Sequence, residues 1–261
     1  VASSTMSASL FLRLTPFPTL AMLGRASMTA PALSRVACMQ HPTACMSTAS
    51  TQIPDVSQYM TDVPPPETKD YIMQQTMIRV KDPITSLDFY TKVLGMKLIM
   101  AKNFPQWGFS VYFVAPGDRD VPIGDDASVW QQCMMTPGCI ELTWNHGSET
   151  EEAARVYNVG NSDATGSKDG EAVRGGFGHL GITTKDVYAA CERFHALGVE
   201  FHKSPNSGGM KGLAFIKDPD GYLVEVLPQS YDPATGNMPT QPVDCLGVTI
   251  DGGDGYKDNS K

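Results

Sequence analysis

The chain of 261 residues is long enough to bury a sizeable core in one large or two small domains. With 41% hydrophobic and 18% charged residues, it has the composition of an ordinary globular protein. The formal net charge of −8 argues against a nucleic-acid-binding protein, which usually carries a basic face.

The beginning of the chain has the composition of a targeting segment. Residues 1–50 contain no Asp or Glu, carry three arginines and are rich in Ser, Thr and Ala. This composition is typical of an organellar transit peptide, and a disordered tail is the plainer alternative. The apolar stretch 10–23 is interrupted by an arginine and two prolines, which argues against a membrane span. We expect delivery to a plastid or mitochondrion, with the cytosol as the alternative, and a linker over 51–69.

Residues 70–157 contain the elements of a strand–helix–strand–strand–strand module. A short strand that begins at Gln75 ends near Asp82, which is a good helix N-cap. Apolar residues at three- and four-residue spacing then predict one buried helical stripe, which ends at Gly95. Three strand-like runs follow: MKLIMAKNF, FSVYFVAP and CIELTWN. Residues 117–138 show no apolar period and are expected to form a polar loop.

Residues 176–228 repeat the same order after a predicted loop over 158–175. A strand opened by His179 leads into an amphipathic helix that stops at Gly198, and three strand-like runs follow: VEFHKSP, GLAFIKD and YLVEVLP. Neither unit could bury a sheet face alone, so we expect an α+β fold of two βαβββ modules packed together. The last residues, 229–261, are rich in Gly, Pro and Asp, which predicts a disordered acidic tail.

Four polar residues stand at equivalent strand positions of the two modules. Gln75 and His179 begin the first strands, and Glu141 and Glu225 lie among apolar neighbours in the last strands. A carboxylate in such surroundings is costly unless it is paired or bound to a metal. If the modules pack with twofold symmetry, the four groups converge into an N/O donor set suited to a divalent ion such as Zn²⁺. The cysteines form no Cys-x-x-Cys pair, so a cysteine metal site is not expected.

Two further polar residues share strand faces with this set. Positions i and i+4 of a strand point to one face, so Arg79 lies beside Gln75 and Asn145 lies beside Glu141. A cation and an amide next to a metal site favour a polar, anionic organic substrate.

In these residues the sequence resembles the glyoxalase I family, the lactoylglutathione lyases of the vicinal-oxygen-chelate superfamily. The matching stretches occur in the family's order: QQTMIRVKDPITSLDFYTKVLGMKLI, FSVYFVAP, ELTWNHGSE, YNVGNSD, GFGHLGITTKDVYAACERF and MKGLAFIKDPDGYLVEVL. The resemblance implies two βαβββ modules, usually assembled as a homodimer with the active site between modules. It also implies metal ligands at Gln75, Glu141, His179 and Glu225.

The resemblance implies isomerisation of the hemithioacetal of methylglyoxal and glutathione to S-lactoylglutathione. Glutathione is then the cosubstrate, and one divalent metal per site is the cofactor. Zinc is favoured because zinc-preferring members carry a long loop like 117–138, and nickel or cobalt are alternatives. By resemblance Glu225 is the catalytic base and Glu141 assists on the opposite face of the substrate.

The family's substrate contacts carry over where the residues match. The predicted contacts are Arg79, Asn145, Lys203, Met210, Lys211 and Arg174. Three of them, from Lys203 to Lys211, fall in the loop that holds the glycyl end of glutathione, where Gly209 replaces the family's usual lysine. Arg174 corresponds to a contact with the γ-glutamyl end, next to an inserted residue.

Other functions remain open at this level. Another enzyme of the superfamily, such as an epimerase or a ring-cleaving dioxygenase, would use the same scaffold, although Gln75 and Glu141 disfavour an iron site of two histidines and one carboxylate. A metal-free module that sequesters small molecules is the alternative of a different class. Neither a nucleic acid nor a membrane is an expected partner.

Overall fold

The computed structural model describes residues 54–60, 63–117, 126–160 and 176–252, together with the backbone of 164–168 and 171–174. The chain divides into two compact units, Val1–Thr61 and Asp62–Lys261. In the first unit the described part contains one 3₁₀ turn, Ser57–Tyr59. The predicted transit peptide, 1–50, lies outside the described residues. No helix within the described ranges is long and apolar enough to cross a membrane.

The first module is a four-stranded sheet with one helical segment after its first strand. Its strands are β1 (Gln75–Val80), β2 (Lys97–Phe104), β3 (Phe109–Ala115) and β4 (Cys139–Asn145), arranged in the order β1-β4-β3-β2. The strand β1 runs parallel to β4, and the other neighbours are antiparallel. The helical segment begins as α1 (Pro83–Asp88), continues as a π-helical turn over Phe89–Val93, and is capped by the Asp82 side chain.

A helix that was not predicted from the sequence packs on the face of this sheet opposite α1. The helix α2 (Ala127–Met134) lies within the predicted polar loop 117–138, so that prediction was wrong for these residues. The Asp126 side chain caps α2 by accepting hydrogen bonds from backbone N–H groups of its first turn. Its buried residues are Val129 and Cys133, and a stripe this short gives no clear helical period.

The second module repeats the first after a short hairpin. The hairpin strands β5 (Ala164–Lys168) and β6 (Glu171–Arg174) pair antiparallel within the stretch predicted as a loop. The module then comprises β7 (Leu180–Thr184), α3 (Val187–Ala196), β8 (Phe201–Lys203), β9 (Ala214–Lys217) and β10 (Leu223–Pro228). Its strand order is β7-β10-β9-β8, with β7 parallel to β10. The prediction of two βαβββ modules is confirmed.

The two modules share one hydrophobic core on the helical sides of their sheets. Buried residues from both modules form this cluster, among them Ile78, Val80, Tyr90, Leu142, Val187, Cys191, Phe194, Ile216, Val224 and Val226. The amphipathic stripe predicted for α3 is confirmed, since its buried residues include Val187, Cys191 and Phe194. The opposite faces of the two sheets are therefore turned away from the shared core.

Polar contacts also join the modules through the turn between β9 and β10. The Tyr90 hydroxyl donates a hydrogen bond of 2.9 Å to Asp218 Oδ2, and the Lys81 backbone N–H donates one of 3.0 Å to Asp220 Oδ1. Burial raises the pKa of Asp218 to about 7, against the hydrogen bonds that it accepts. The turn thus fixes the second module onto both ends of the helical segment of the first module, at Lys81 and at Tyr90.

The chain after β10 is hydrogen-bonded to the second module as far as Val248. The Asp244 side chain is buried and accepts a hydrogen bond of 3.0 Å from the Asn206 backbone N–H. A β-bridge joins Val243 to Thr249. The predicted disordered tail was therefore wrong for 229–252, because a few buried polar anchors hold a segment whose composition is that of a loop. The remaining residues of that predicted tail lie outside the described ones.

Candidate metal and substrate site

In the first module Gln75 contacts Glu141. The parallel register places Gln75 opposite Cys139, which is two residues before Glu141 in β4. The Gln75 Nε2 atom donates a hydrogen bond to Glu141 Oε2, and the Thr143 hydroxyl donates one of 3.0 Å to Oε1. Both carboxylate oxygens are thus oriented by neighbours. A half-turn of the Gln75 amide would present its oxygen instead of its nitrogen.

In the second module His179 contacts Glu225. His179 directly precedes β7, and Glu225 pairs with Gly181 in parallel register. The His179 Nε2 atom lies 3.1 Å from Glu225 Oε2, with 42% of the imidazole and 17% of the carboxylate side chain exposed. The Phe215 ring stands edge-on to the imidazole, with 5.2 Å between ring centroids. A carboxylate and an aromatic ring therefore fix the position of the histidine.

The two pairs occupy the same place in the two modules. In β10, Val224 and Val226 are buried in the shared core, so alternation places Glu225 on the opposite face of the sheet. In β4 the core residue Leu142 places its neighbour Glu141 on the corresponding face. Each pair thus lies on the sheet face turned away from the shared core, and in the first module α2 covers another part of that face.

Within one chain the two pairs remain separate. Among the described residues, no group of three or more His, Cys, Asp or Glu side chains lies close enough together to hold a metal ion. Gln75 and His179 nevertheless line the same cavity, of about 800 Å³, between β1 and β7. Within this chain the four groups therefore form two pairs, because the modules are joined through the helical sides of their sheets, and their convergence into one site stays a prediction.

Two predicted substrate contacts lie on the Gln75–Glu141 face. Ile78 and Val80 point into the core, so Arg79 lies between them on the opposite face of β1 and is exposed. The Asn145 Nδ2 atom donates a hydrogen bond of 3.0 Å to the Tyr157 hydroxyl. Tyr157 was not singled out from the sequence, although the stretch YNVGNSD that contains it matched the family.

An apolar wall stands next to these polar residues. The β3 residues Phe113, Val111 and Phe109 are paired opposite Glu141, Thr143 and Asn145, so they share one sheet face. The rings of Phe104, Trp107 and Phe109 extend the wall, with centroids 5.0 to 6.3 Å apart, and Trp107 is exposed. This wall was not predicted, and the aromatic spacing in NFPQWGF was its signal in the sequence. Phe113 and Val111 are buried beneath α2, so the accessible part of the wall is formed by Phe104, Trp107 and Phe109. The site thus combines this aromatic surface with a polar strip, which consists of Gln75, Arg79, Glu141 and Asn145.

The loop between β8 and β9 places its predicted contacts differently. Lys203 is 8% exposed, and its Nζ atom donates hydrogen bonds to backbone oxygens of Leu213 at 2.7 Å and Ser204 at 3.2 Å. Burial, followed by the nearby Lys211, lowers the pKa of Lys203 to about 8. In the structure Lys203 fixes both ends of the loop through backbone oxygens, and its predicted contact with a substrate stays a prediction.

Three predicted substrate contacts remain: Met210, Lys211 and Arg174. Met210 is exposed at the tip of the loop, and the half-buried Lys211 donates a hydrogen bond of 2.7 Å from Nζ to the Asn206 carbonyl. The strand β6 ends at Arg174, whose side chain is not among the described ones.

The chain is similar in sequence to known proteins. The Glyoxalase/Bleomycin resistance protein/Dioxygenase superfamily matches residues 72–226. The lactoylglutathione lyase of Pseudomonas putida is 46% identical over 162 residues, which are 62% of this chain and 87% of that protein. That of Pseudomonas aeruginosa is 42% identical over 170 residues, which are 65% and 89% of the two chains. The structure of Leishmania major glyoxalase I is 25% identical, covers 60% of this chain and 86% of its own, and has a TM-score of 0.41. With both side-chain pairs inside the matched range, this chain belongs to the Glyoxalase/Bleomycin resistance protein/Dioxygenase superfamily.

Proposed function

We propose that this protein is a metal-dependent lactoylglutathione lyase. It isomerises the hemithioacetal of methylglyoxal and glutathione to S-lactoylglutathione, and so removes 2-oxoaldehydes. The observation that carries the proposal is the recurrence of one couple in both modules, Gln75 with Glu141 and His179 with Glu225. The names and identities of the two Pseudomonas relatives, 46% and 42%, support the same activity.

The donor atoms of the two pairs fit a divalent cation. They comprise an imidazole nitrogen, an amide oxygen and two carboxylates, and the carboxylates offset the charge of the ion. A divalent ion bound there would supply Lewis-acid stabilisation where negative charge develops on the substrate. Zinc suits this mixed donor set best, and nickel or cobalt are the alternatives.

The two glutamates move the proton. Glu225 is the proposed base, because its carboxylate is largely shielded from water and is held against His179. It removes a proton from the carbon next to the carbonyl and returns it to the neighbouring carbon. Glu141 has the equivalent position in the other module, so it approaches from the opposite face and suits a substrate of the other handedness.

The polar strip and the apolar wall divide the substrate between them. The exposed Arg79 guanidinium would bind a carboxylate of the glutathione portion, and Asn145 would donate or accept hydrogen bonds beside it. Met210 and Lys211 would meet the glycyl end, with Arg174 at the γ-glutamyl end. The accessible rings of the apolar wall, Trp107 and Phe109 next to Asn145, would contact apolar parts of the bound substrate.

A second copy of the chain would complete the site. In one chain the pairs remain separate, so the proposal joins the Gln75–Glu141 pair of one chain to the His179–Glu225 pair of its partner. Met77 supports this arrangement, since it is 43% exposed on the same face as Glu141 and would be covered in a dimer. The enzyme is thus proposed to be a homodimer.

Localisation to a plastid or mitochondrion is the remaining part of the proposal. Its support is the Arg-, Ser- and Ala-rich composition of residues 1–50. A fluorescent protein that carries these residues at its start should enter one of these organelles, and uniform cytosolic fluorescence would favour the alternative.

The decisive experiment is thioester formation from methylglyoxal and glutathione. The purified protein is stripped with a chelator and assayed before and after zinc, nickel or cobalt is restored. Activity that returns with metal supports the reaction and the site together, and the best metal identifies the cofactor. Folded protein that is inactive with every metal would instead favour a binding module or another enzyme of the superfamily.

A further inference from the structure

The segment after β10 extends beyond the part of the chain that the family matches. The match ends at residue 226, whereas hydrogen bonds to the second module continue as far as Val248. We call residues 238–250 the C-terminal strap. They lie across the loop 204–213, which joins β8 to β9 and carries the proposed substrate contacts Met210 and Lys211.

Asn206 is the main polar link between this loop and the C-terminal strap. Its side chain is completely buried, and Oδ1 accepts a hydrogen bond of 2.6 Å from the Tyr188 hydroxyl. Its Nδ2 atom donates to the strap carbonyls of Gln241 at 3.1 Å and Val248 at 2.9 Å. The two bonds to the strap would be lost together if the strap left the loop, whereas the bond from Tyr188 of α3 would remain.

Asp244 holds the same loop residue from the strap. Its Oδ2 atom accepts a hydrogen bond of 3.0 Å from the Asn206 backbone N–H, while Oδ1 accepts bonds of 3.0 Å from the Leu246 and Val248 N–H groups. Burial alone would raise the pKa of Asp244, but hydrogen bonds, including those from these N–H groups, keep it below its ordinary value. One carboxylate thus shapes the strap and holds the loop at once.

The end of the loop at Gly212 packs tightly against the C-terminal strap. Gly212 has a φ of +84°, and a Cβ atom there would lie 2.7 Å from the Pro239 oxygen and 2.8 Å from Met238 Cβ. On the other side of the loop, Lys203 Nζ bonds the backbone oxygens of Ser204 and Leu213. Both ends of the loop are therefore held, and its tip at Met210 remains exposed.

The hydrogen bonds continue from the strap to a substrate contact. The Asn206 carbonyl accepts the hydrogen bond from Lys211 Nζ. Asn206, which is hydrogen-bonded to the strap, therefore also orients this ammonium. An ammonium has three donors, which leaves others for a carboxylate of the substrate.

We propose that the C-terminal strap is a positioning element for substrate binding, which acts through Asp244 and Asn206 on Lys211 and Met210. The inference rests on the proposed function, since it takes the glycyl end of a glutathione adduct as the ligand of the loop. Asp244 and Asn206 are positioning residues, because they act through the loop and touch no reacting atom. The strap should therefore affect substrate affinity more than the rate of the chemical step.

The test uses the metal-loaded protein and two variants of one residue. Asp244→Ala removes every bond of the carboxylate, and Asp244→Asn keeps one oxygen acceptor. The first readout is trypsin cleavage after Lys211, followed by mass spectrometry without substrate, which reports how often the loop opens. The second is the separation of KM from kcat for the hemithioacetal.

We expect Asp244→Ala to raise both the cleavage rate after Lys211 and KM by about tenfold, with kcat within about twofold of the original. Asp244→Asn should show a smaller change in the same direction. The matched control is Asp251→Asn. It removes an exposed carboxylate directly after the strap and should alter neither readout.

Three results would overturn the proposal. They are an unchanged cleavage rate in folded Asp244→Ala protein, faster cleavage with an unchanged KM, and a loss confined to kcat. If Asp244→Ala does not fold, Asp244→Asn decides by the same readouts.

Binding of S-methylglutathione, measured by calorimetry, separates this inference from the proposed function. If the original protein shows no lyase activity with any metal, the proposed function fails while binding still tests the strap. About tenfold weaker binding by Asp244→Ala then supports the strap, and equal binding overturns it. Absence of binding by the original protein overturns the inference as well.

Discussion

Replacement of Glu225 tests the chemical step without disturbing the fold. Glu225→Gln keeps the shape of the side chain and the contact with His179 but removes the proton acceptor. We expect kcat to fall about 10²- to 10⁴-fold, the range of general acid–base catalysis, while the melting temperature stays close to the original. The measurement is kcat with restored metal, together with a thermal melt. The control Glu192→Gln changes an exposed glutamate on α3 and should leave kcat unchanged; near-normal activity of Glu225→Gln would contradict the assigned base.

Arg79 tests substrate binding at the same scale. Because Arg79→Ala removes an exposed guanidinium and leaves both side-chain pairs intact, we expect KM to rise about ten- to a hundredfold with metal affinity unchanged. Arg79→Lys keeps the charge without the planar fork and should give an intermediate KM. Steady-state kinetics and metal titration measure the two effects. An unchanged KM in Arg79→Ala would remove this residue from the binding site.

Single residues differ in how far the sequence predicts them. The paired positions of Gln75 and His179 were predictable, since the same strand position recurs in two copies of one module. The role of Lys203 was not, because a lysine near a proline and a glycine-rich run looks the same whether its ammonium faces a substrate or backbone carbonyls. Only the conformation of the loop decides between these roles.

At the scale of elements, the turn between β9 and β10 predicts a pH effect on stability. The pKa of Asp218 is raised to about 7, so the folded protein binds this proton more tightly than the unfolded chain. Its contribution to stability is full below the ordinary pKa of Asp, near 4, and is lost as the pH rises through 7.

Asp218→Asn should weaken this pH dependence. The amide stays neutral, so the decrease in the free energy of unfolding between pH 4 and pH 8 should be smaller than in the original protein by about 1–3 kcal/mol. Urea unfolding at several pH values gives the comparison. Asp88→Asn, which breaks an exposed pair with Lys92, should change stability by no more than about 0.5 kcal/mol at any pH. Parallel pH profiles for Asp218→Asn and the original protein would refute the assignment.

Elements were predictable where a pattern runs over many residues and unpredictable where few residues decide. The strands β4 and β10 and the cap at Asp82 follow from alternation and cap chemistry. The helix α2 has a stripe of two buried residues, which is too short for a period. The C-terminal strap depends on a distant partner, Asn206, which local composition does not reveal.

At the scale of the whole molecule, the proposed dimer predicts that two inactive chains restore each other. In a mixed dimer of Glu141→Gln and Glu225→Gln chains, one site carries both replacements and the other carries neither. Random exchange makes half of the dimers mixed, so we expect about one quarter of the original activity per site. The measurement is activity after the chains are mixed and allowed to exchange.

A site within one chain would give a different result in that mixture. Each chain would then keep its own defect, and mixing would restore nothing. Sedimentation of the original protein supplies the independent control, since a monomer at assay concentration with full activity would also exclude the shared site.

The arrangement of the modules was the part of the fold least open to prediction. The repeat indicates that two similar sheets pack together, but it does not state through which faces. Both faces of β4 carry apolar residues, with Leu142 on one side and Cys139 on the other. The shared core formed on the helical sides, and the four polar residues consequently remained two pairs within one chain.

The shared core has a consequence for the history of the two modules. A duplicated unit usually remains able to fold alone as long as each copy keeps its own apolar interior. Here Tyr90 of one copy and Val224 of the other belong to the same cluster, and the Tyr90 hydroxyl bonds Asp218 across the boundary. The copies have therefore lost their independence: heat should melt them in a single cooperative transition, and neither half would survive as a protein of its own.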